Sequence, residues 1–248
     1  MRILVFASDN RPLSSSMEEA QYNSLSVLIN SNYCQANNYD FIYFQPYYKQ
    51  VDLSVNTNCT NPHTGSPRHS SWSKLLSTLK AMEMGYDYVV YIDSDAVLRT
   101  NSYKLETFIE KYGEDKDFIF LDNSPNLKVK VENSANAGFF IVKVNSSAKK
   151  SVQDWYNINL PRFDVTPFWE QYALWWHMID KMKVRIVPEE HFHEEEDQLV
   201  RHMHSGLSGQ RLGYFTDIIK DRSLHIENNS KVPVNAFNTE ELTCLERS

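Results

Sequence analysis

Two carboxylates one residue apart, Asp93 and Asp95, follow the run Tyr86-Asp87-Tyr88-Val89-Val90-Tyr91-Ile92, whose β-branched and aromatic residues have strand length. Residues i and i+2 of an extended segment face the same side, so hard oxygens from both can converge on one divalent cation. The end of a central strand is also where open α/β sheets place their ligand crevice. A cation held there would neutralise a diphosphate and stabilise charge developing on a departing nucleotide. The plainer alternative is an Asx turn that closes the strand with both carboxylates exposed.

The elements that must position this pair are legible along the chain. Arg2 to Phe6 reads as a buried strand, and Ser8-Asp9-Asn10-Arg11-Pro12 as the loop after it. A helix is predicted from about Met17 to Asn37, then an alternating strand over Asp40 to Phe44. Residues 45 to 71 hold Pro46, Pro62, Gly65 and Pro67 without sustained period and read as a long loop. Ser71 is the expected cap of a helix beginning at Trp72, with Gly85 as its stop. After the acidic pair come a helix near Leu105 to Tyr112, strands at Phe118 to Leu121 and Gly138 to Val144, and helices near Ala148 to Tyr156 and Phe168 to Met182. A short strand at Val184 to Val187, an acidic stretch at His193 to Asp197 and the segment Leu199 to His204 complete the pattern. Strands alternating with helices predict an α/β fold whose mainly parallel central sheet is covered on both faces. No repeat or linker divides the chain, so residues 1–222 are expected to form one domain and residues 223–248 a tail packed loosely on it.

Composition narrows the function classes. The 248 residues are 42% hydrophobic and 23% charged, ordinary for a folded domain, with aromatics at 13% and only 7 glycines. Lys plus Arg total 25 against 32 Asp plus Glu, and a net charge of −7 argues against nucleic acid as a partner. No apolar run reaches the roughly 18 residues of a membrane span. Cys34, Cys59 and Cys244 have no paired spacing, which suits a reducing compartment, so a cytoplasmic location is expected unless the chain is a trimmed form of an anchored enzyme. Trp155, Trp169, Trp175 and Trp176 offer either a platform for a sugar face or core packing, and their helical spacing favours the core. His191-Phe192-His193 with His202-Met203-His204 raises a cupin-like or dinuclear metal site, but the scarce glycines and clear helices do not suit a many-stranded barrel.

Two enzyme classes share the local acidic pattern. Asp93-Ser94-Asp95-Ala96-Val97 fits the haloacid-dehalogenase-type phosphatase signature, in which Asp93 would be the nucleophile. That signature normally follows the first strand, whereas two strand and helix pairs precede it here. The other class is the metal-dependent glycosyltransferase of GT-A fold. Trp72-Ser73-Lys74-Leu75, Asn136-Ala137-Gly138-Phe139-Phe140-Ile141, Phe168-Trp169-Glu170-Gln171-Tyr172-Ala173-Leu174 and His202-Met203-His204-Ser205-Gly206 match its further motifs in order and spacing. Over about residues 1 to 215 the set is most similar to glycosyltransferase family 34, the yeast α-galactosyltransferase and plant xyloglucan xylosyltransferase group.

That resemblance implies a GT-A-like sheet and transfer of a hexose or pentose from a nucleoside diphosphate sugar, a uridine one, to a hydroxyl of a glycan or glycoconjugate. Mn²⁺ or Mg²⁺ would sit on Asp93 and Asp95, with Ser94 between them and a third ligand from the late histidine segment. His204, close to the Gly206 turn, is the first choice and His202 the second. Ser8 and Asp9 fall where such a fold receives the nucleoside. Lys74 would pair with phosphate or a sugar hydroxyl, and Asn136 and Gly138 would let the backbone approach the sugar. Glu170 and Gln171 would lie on the acceptor side, where a carboxylate can orient or deprotonate a hydroxyl. The implied stereochemistry is retaining, and Glu170 is the candidate base of an inverting course. A phosphatase and a non-catalytic nucleotide-sugar or glycan-binding domain are the alternatives.

Overall fold

The computed structural model describes residues 1–48, 57–99, 103–123, 133–165, 167, 169–187, 199–203 and 205–240. In chain order its first half runs β1 (Ile3–Ser8), α1 (Tyr22–Asn37), β2 (Asp40–Tyr47), β3 (Thr57–Thr60), β4 (Pro67–His69), α2 (Ser73–Met82), β5 (Tyr88–Ile92) and β6 (Ala96–Leu98). The second half runs α3 (Leu105–Tyr112), β7 (Phe118–Asp122), β8 (Ala135–Lys143), α4 (Ser146–Tyr156), α5 (Arg162–Val165), α6 (Trp169–Ala173), β9 (Val184–Val187), β10 (Val200–His202), α7 (Arg211–Asp221) and β11 (Val234–Asn238).

Every residue of β1 from Ile3 to Ala7 is buried, as a strand that apolar requires when both faces are covered. Its side chains divide by period two: Leu4 and Phe6 enter one core, Ile3, Val5 and Ala7 the other. α2 and α4 close the first face over Phe6, Tyr91 and Phe140, while α1 and α3 close the second over Val5, Val90 and Ile141. Phe6, Tyr91, Phe140 and Trp155 form a file of rings with successive centroids 5.4, 5.0 and 6.1 Å apart. Full burial of one such side chain contributes roughly 2–3 kcal/mol, so this file anchors the sheet's middle.

The seven strands lie in the order β11-β2-β1-β5-β8-β7-β9. All neighbours are parallel except β8, which runs antiparallel to both β5 and β7. The expected α/β fold with a mainly parallel, doubly covered sheet is therefore the one found. Among the described residues no helix is long and apolar enough to cross a membrane.

Several boundaries differ from the sequence expectation for physical reasons. α1 begins at Tyr22 rather than near Met17, because Ser14 is folded back and donates its backbone N–H to Ser24 Oγ at 2.9 Å. Ser71 is not a helix cap; a 3₁₀ turn at Ser70–Trp72 precedes α2, and His69 Nδ1 accepts the Ser71 N–H at 3.2 Å. The helix expected over Phe168 to Met182 passes from α6 into a π turn at Leu174–Met178 and a 3₁₀ turn at Ile179–Lys181. There the Trp175 indole donates to the Ala135 carbonyl at 2.6 Å. The loosely packed tail expected beyond Ser223 is corrected: β11 extends the main sheet parallel to β2, with Phe237 against Phe44 at 6.2 Å. Val234, Asn235 and Ala236 are exposed on this edge strand, which is why its pattern is weak in the sequence. The acidic stretch 193–197, the His191-His193 pair and residues 241–248 lie outside the described residues.

Within the expected 45–71 loop, β3 and β4 form a hairpin whose turn is closed by Gly65 N–H donating to the Asn61 carbonyl at 2.8 Å. Gly65 has φ +70°, open to glycine without cost. The hairpin is pinned by Arg68, fully buried, whose Nε meets Asp164 Oδ1 at 2.7 Å and whose guanidinium lies 4.1 Å from the Trp72 ring centroid. The same guanidinium donates to the carbonyls of Tyr156 and Ile158. Removing one partner of a buried, hydrogen-bonded ion pair leaves the other charge uncompensated. Arg68→Ala should therefore lower unfolding stability by about 3–5 kcal/mol in urea titration; a loss within experimental error would show that the pair does not hold the hairpin.

Candidate functional site

The acidic motif leaves β5 as a turn rather than an extended segment: the Ala96 N–H donates to the Asp93 carbonyl at 3.0 Å. The carboxylates converge all the same, because the elements on both sides are fixed by backbone pairing. The reversed strand β8 lies alongside, and the Asp93 N–H donates to the Gly138 carbonyl at 2.7 Å. β10 pairs antiparallel with β6 in the register His202↔Ala96, and the Met203 N–H reaches the Asp95 carbonyl at 2.8 Å. This small second sheet carries His202 to the acidic turn from far along the chain. Its Nε2 lies 3.0 Å from Asp95 Oδ1 and 3.8 Å from Asp93 Oδ2. One ligand atom from each of Asp93, Asp95 and His202 lies within 4.8 Å of the others, a spacing that a single ion could bridge.

Positive charge surrounds the pair. Lys74, buried on the first turns of α2, places Nζ 3.0 Å from Asp93 Oδ1, 2.9 Å from Glu170 Oε1 and 3.1 Å from the Ala137 carbonyl. Tyr91 on β5, two residues before Asp93, donates its hydroxyl to Asp93 Oδ1. Arg211, at the start of α7, reaches Asp95 Oδ2 at 2.6 Å and the Met203 carbonyl at 2.5 Å. Burial by itself would raise the Asp95 pKa, but His202 and then Arg211 outweigh it and hold the carboxyl below its usual range. For His202 burial acts downward, and the Asp95 and Asp93 carboxylates more than reverse it, so its pKa is raised. Lys74 follows the same logic: burial opposes its charge, and Asp93 and Glu170 keep it protonated.

The other residues singled out in the sequence group around this centre. Asn136 donates to Asn123 Oδ1 at 3.0 Å, lies 3.3 Å from His202 Nδ1, and accepts the Gly138 N–H at 2.7 Å. Gln171 Oε1 accepts the Ala137 N–H at 2.8 Å. Glu170 is buried, and its Oε2 has no hydrogen-bond partner among the described residues. Asp9 is clasped by Arg11, whose guanidinium also donates to Ser94 Oγ at 3.2 Å. Ser8 Oγ lies 2.7 Å from Ser77 Oγ, at the C-terminal end of β1. Of the two late histidines, His202 joins the acidic pair, while His204 lies outside the described residues. Gly206 falls in the 3₁₀ turn Ser205–Gln210 that leads into α7.

Three participants, Tyr91, Arg211 and Asn123, were given no role from the sequence. Tyr91 stood in the strand run, two residues before Asp93. Arg211 and Asn123 carry no motif, and only the fold brings them to the carboxylates and to Asn136. Tyr22 lies between two guanidinium groups, with Arg11 at 4.2 Å and Arg211 at 4.9 Å from its ring centroid.

Comparison with known proteins is consistent with this geometry. The family described as nucleotide-diphospho-sugar transferase matches residues 31–231. No curated protein matches the sequence. Among solved structures, a glycosyltransferase involved in glycosylation of the major capsid of PBCV-1 superposes with a TM-score of 0.65 at 12% identity, covering 88% of this chain and 100% of its own. The glycosyltransferase GlyE of Streptococcus pneumoniae TIGR4 superposes with a TM-score of 0.51 at 12% identity, over 91% of this chain and 65% of that one. The shared fold is GT-A-like.

Gly138 is the position where the site tolerates no side chain. A Cβ there would overlap the His202 ring and lie 2.8 Å from Asp93 Oδ2 and 2.9 Å from Asn136 Oδ1. Gly138→Ala should leave the circular dichroism spectrum unchanged and weaken Mn²⁺ binding, read by electron paramagnetic resonance, by at least about tenfold. Unchanged Mn²⁺ affinity would separate Gly138 from the carboxylate and histidine cluster.

Proposed function

We propose, because the chain belongs to the nucleotide-diphospho-sugar transferase family, that it transfers a hexose or pentose from a uridine diphosphate sugar to a hydroxyl of a glycan or glycoconjugate. The observation that carries the reading is the convergence of Asp93, Asp95 and His202 at the end of the central strand β5. Two carboxylates and an imidazole suit Mn²⁺ or Mg²⁺ as a donor set, and these three residues would hold the ion. Bound there, it would neutralise the diphosphate and stabilise charge on the leaving nucleotide.

The chain's own residues divide the remaining work. Lys74 fixes Asp93 and Glu170 from one ammonium, so the donor side and the acceptor side are held by a single buried charge. Arg211 is anchored through Nε to the Met203 carbonyl, and once another cation satisfies Asp95 its remaining guanidinium N–H groups can pair with phosphate oxygens. Asp9 and Arg11, with Ser8 and Ser94 beside them, form the nucleoside end, and Gly206 lies in the turn that delivers Arg211. Gly138 leaves the room in which Asp93, Asn136 and His202 close over one point, so Asn136 and Gly138 serve the ion site rather than an open approach for the sugar. Gln171, anchored through Oε1 to Ala137, keeps its amide N–H groups for a sugar oxygen.

Glu170 Oε2, buried and unpartnered, is an acceptor for a sugar hydroxyl, and its ion pair with Lys74 suits orientation better than proton removal. This favours the retaining course implied by the resemblance to family 34, in which the leaving phosphate takes the acceptor proton on the same face. Cys34 and Cys59 are buried free thiols, which supports action in a reducing compartment, the cytosol.

Calorimetry against a panel of nucleoside diphosphate sugars, with Mn²⁺ and with chelator, tests the reading. Metal-dependent binding and slow nucleotide release from one donor are expected, both reduced at least about a hundredfold by Asp95→Ala. Absence of binding to every donor, with phosphate released from aryl phosphates in Mg²⁺ alone, would return Asp93 to the nucleophile of a phosphatase.

Acidity supplies an independent check. The folded His202 has a raised pKa, so without metal its charged form with Asp95 stabilises the fold below about pH 6.5, and that contribution is lost as pH rises through the folded value. Metal ligation needs the neutral ring, so Mn²⁺ affinity should rise with pH across the same window, and a His202→Asn variant should lose that slope. An unchanged slope in the variant would remove His202 from the ligand set.

A further inference from the structure

The sequence favoured core packing for Trp169, yet its surroundings are unlike those of the other tryptophans. Trp155 and Trp175 are buried with their indole N–H groups bonded to the Glu170 and Ala135 carbonyls. Trp169 is only partly buried, and it stacks face to face on His69, with ring centroids 3.5 Å apart and planes 2° from parallel. His69 is partly buried as well. Its Nδ1 accepts the Ser71 N–H, which leaves the proton of the neutral ring on Nε2, and that N–H has no partner among the described residues. Burial holds the ring neutral against the pull of Glu170, and Lys74 works in the same direction as burial.

Both halves of the stack are fixed by the rest of the fold. His69 follows Arg68, whose buried ion pair with Asp164 locks the hairpin to the segment leading into α6. Trp169 has φ +21°, a sparsely populated value for a bulky residue, of the kind that persists where surrounding structure over-determines it. The next residue in the chain is Glu170, with its unpartnered Oε2, and then Gln171. A rigid aromatic pair with an unused N–H donor therefore adjoins an unused buried carboxylate oxygen. Aromatic faces match the apolar C–H face of a pyranose, while the polar groups match its hydroxyls.

We propose that the His69–Trp169 stack is the subsite for the ring of the acceptor sugar, with the His69 Nε2–H and Glu170 Oε2 reading its hydroxyls. This rests on the transferase reading for the name acceptor, but sugar binding at the stack is measurable without any donor. The acceptor is thereby a pyranoside of a glycan rather than a protein side chain.

The test is a titration of ¹⁵N-labelled protein with methyl glucoside, methyl galactoside, methyl xyloside, lactose and cellobiose, alone and with UDP and Mn²⁺, reading the tryptophan indole signals. Trp169→Phe assigns the Trp169 resonance. At least one sugar should shift that signal and leave the Trp176 signal in place, and Trp169→Leu should weaken the sugar's binding by at least about tenfold with UDP affinity unchanged. His69→Phe, which keeps the ring area, should lose affinity for the same sugar while retaining the fold, and this covers a Trp169→Leu protein that fails to fold. If no sugar moves the Trp169 signal in either arm, or if His69→Phe binds the sugar as the parent does, the subsite is overturned. A shift by sugar with no response to UDP and Mn²⁺ would keep the subsite and overturn the transferase reading instead.

Discussion

Asp93 and Asp95 stand on one turn at the mouth of a buried strand, and two carboxylates so close repel one another unless positive charge lies beside them. Lys74, His202 and Arg211 supply it, each from a different element: α2, β10 and the start of α7. Much of the chain's layout around the sheet can be read as the means of delivering those cations. α2 must lie across β5 for Lys74 to reach Asp93, β10 must pair with β6, and α7 must begin where the 3₁₀ turn leaves it. The arrangement is balanced rather than saturated, since Arg211 and His202 share one carboxylate while Asp93 Oδ2 lies 3.8 Å from the imidazole. A divalent ion entering this cluster would replace a side-chain charge instead of adding to an already neutral site.

The reversed strand β8 is the second constraint. In an all-parallel sheet the neighbour of β5 would present its own C-terminal end at this edge. Because β8 runs the other way, its beginning lies there, and Asn136, Ala137 and Gly138 face the acidic turn through backbone groups as well as side chains. Gly138 lets Asp93, Asn136 and His202 close over one point, Asn136 links His202 to Asn123, and Ala137 ties both Lys74 and Gln171 to the strand. The acidic turn, Lys74 and Gln171 thus share one backbone segment.

Local signals carried much of this into the sequence. The apolar run of β5, the paired aspartates and the Asn-x-Gly strand are short-range patterns, and each of these elements is found in the fold. The placement of His202 beside the aspartates was not local, because it depends on a register of β10 against β6 that joins positions a hundred residues apart. Arg211 was invisible for the same reason: a single arginine at a helix start has many plain explanations. The edge strand β11 was missed because an exposed edge needs little apolar patterning, and the β3–β4 hairpin because its stabilising charge, Arg68, finds Asp164 only in three dimensions. His69 and Trp169 likewise meet only through that hairpin.

We propose that Asp93, Asp95 and His202 form one cation site that serves a nucleoside diphosphate. Crystals grown with Mn²⁺ and UDP, measured at a wavelength where manganese scatters anomalously, test it most directly. One strong anomalous peak is expected within coordination distance of all three side chains, with diphosphate density on its open side and Arg211 turned from Asp95 toward phosphate. No peak there, with the Arg211–Asp95 and His202–Asp95 pairs intact in the presence of both ligands, would contradict it.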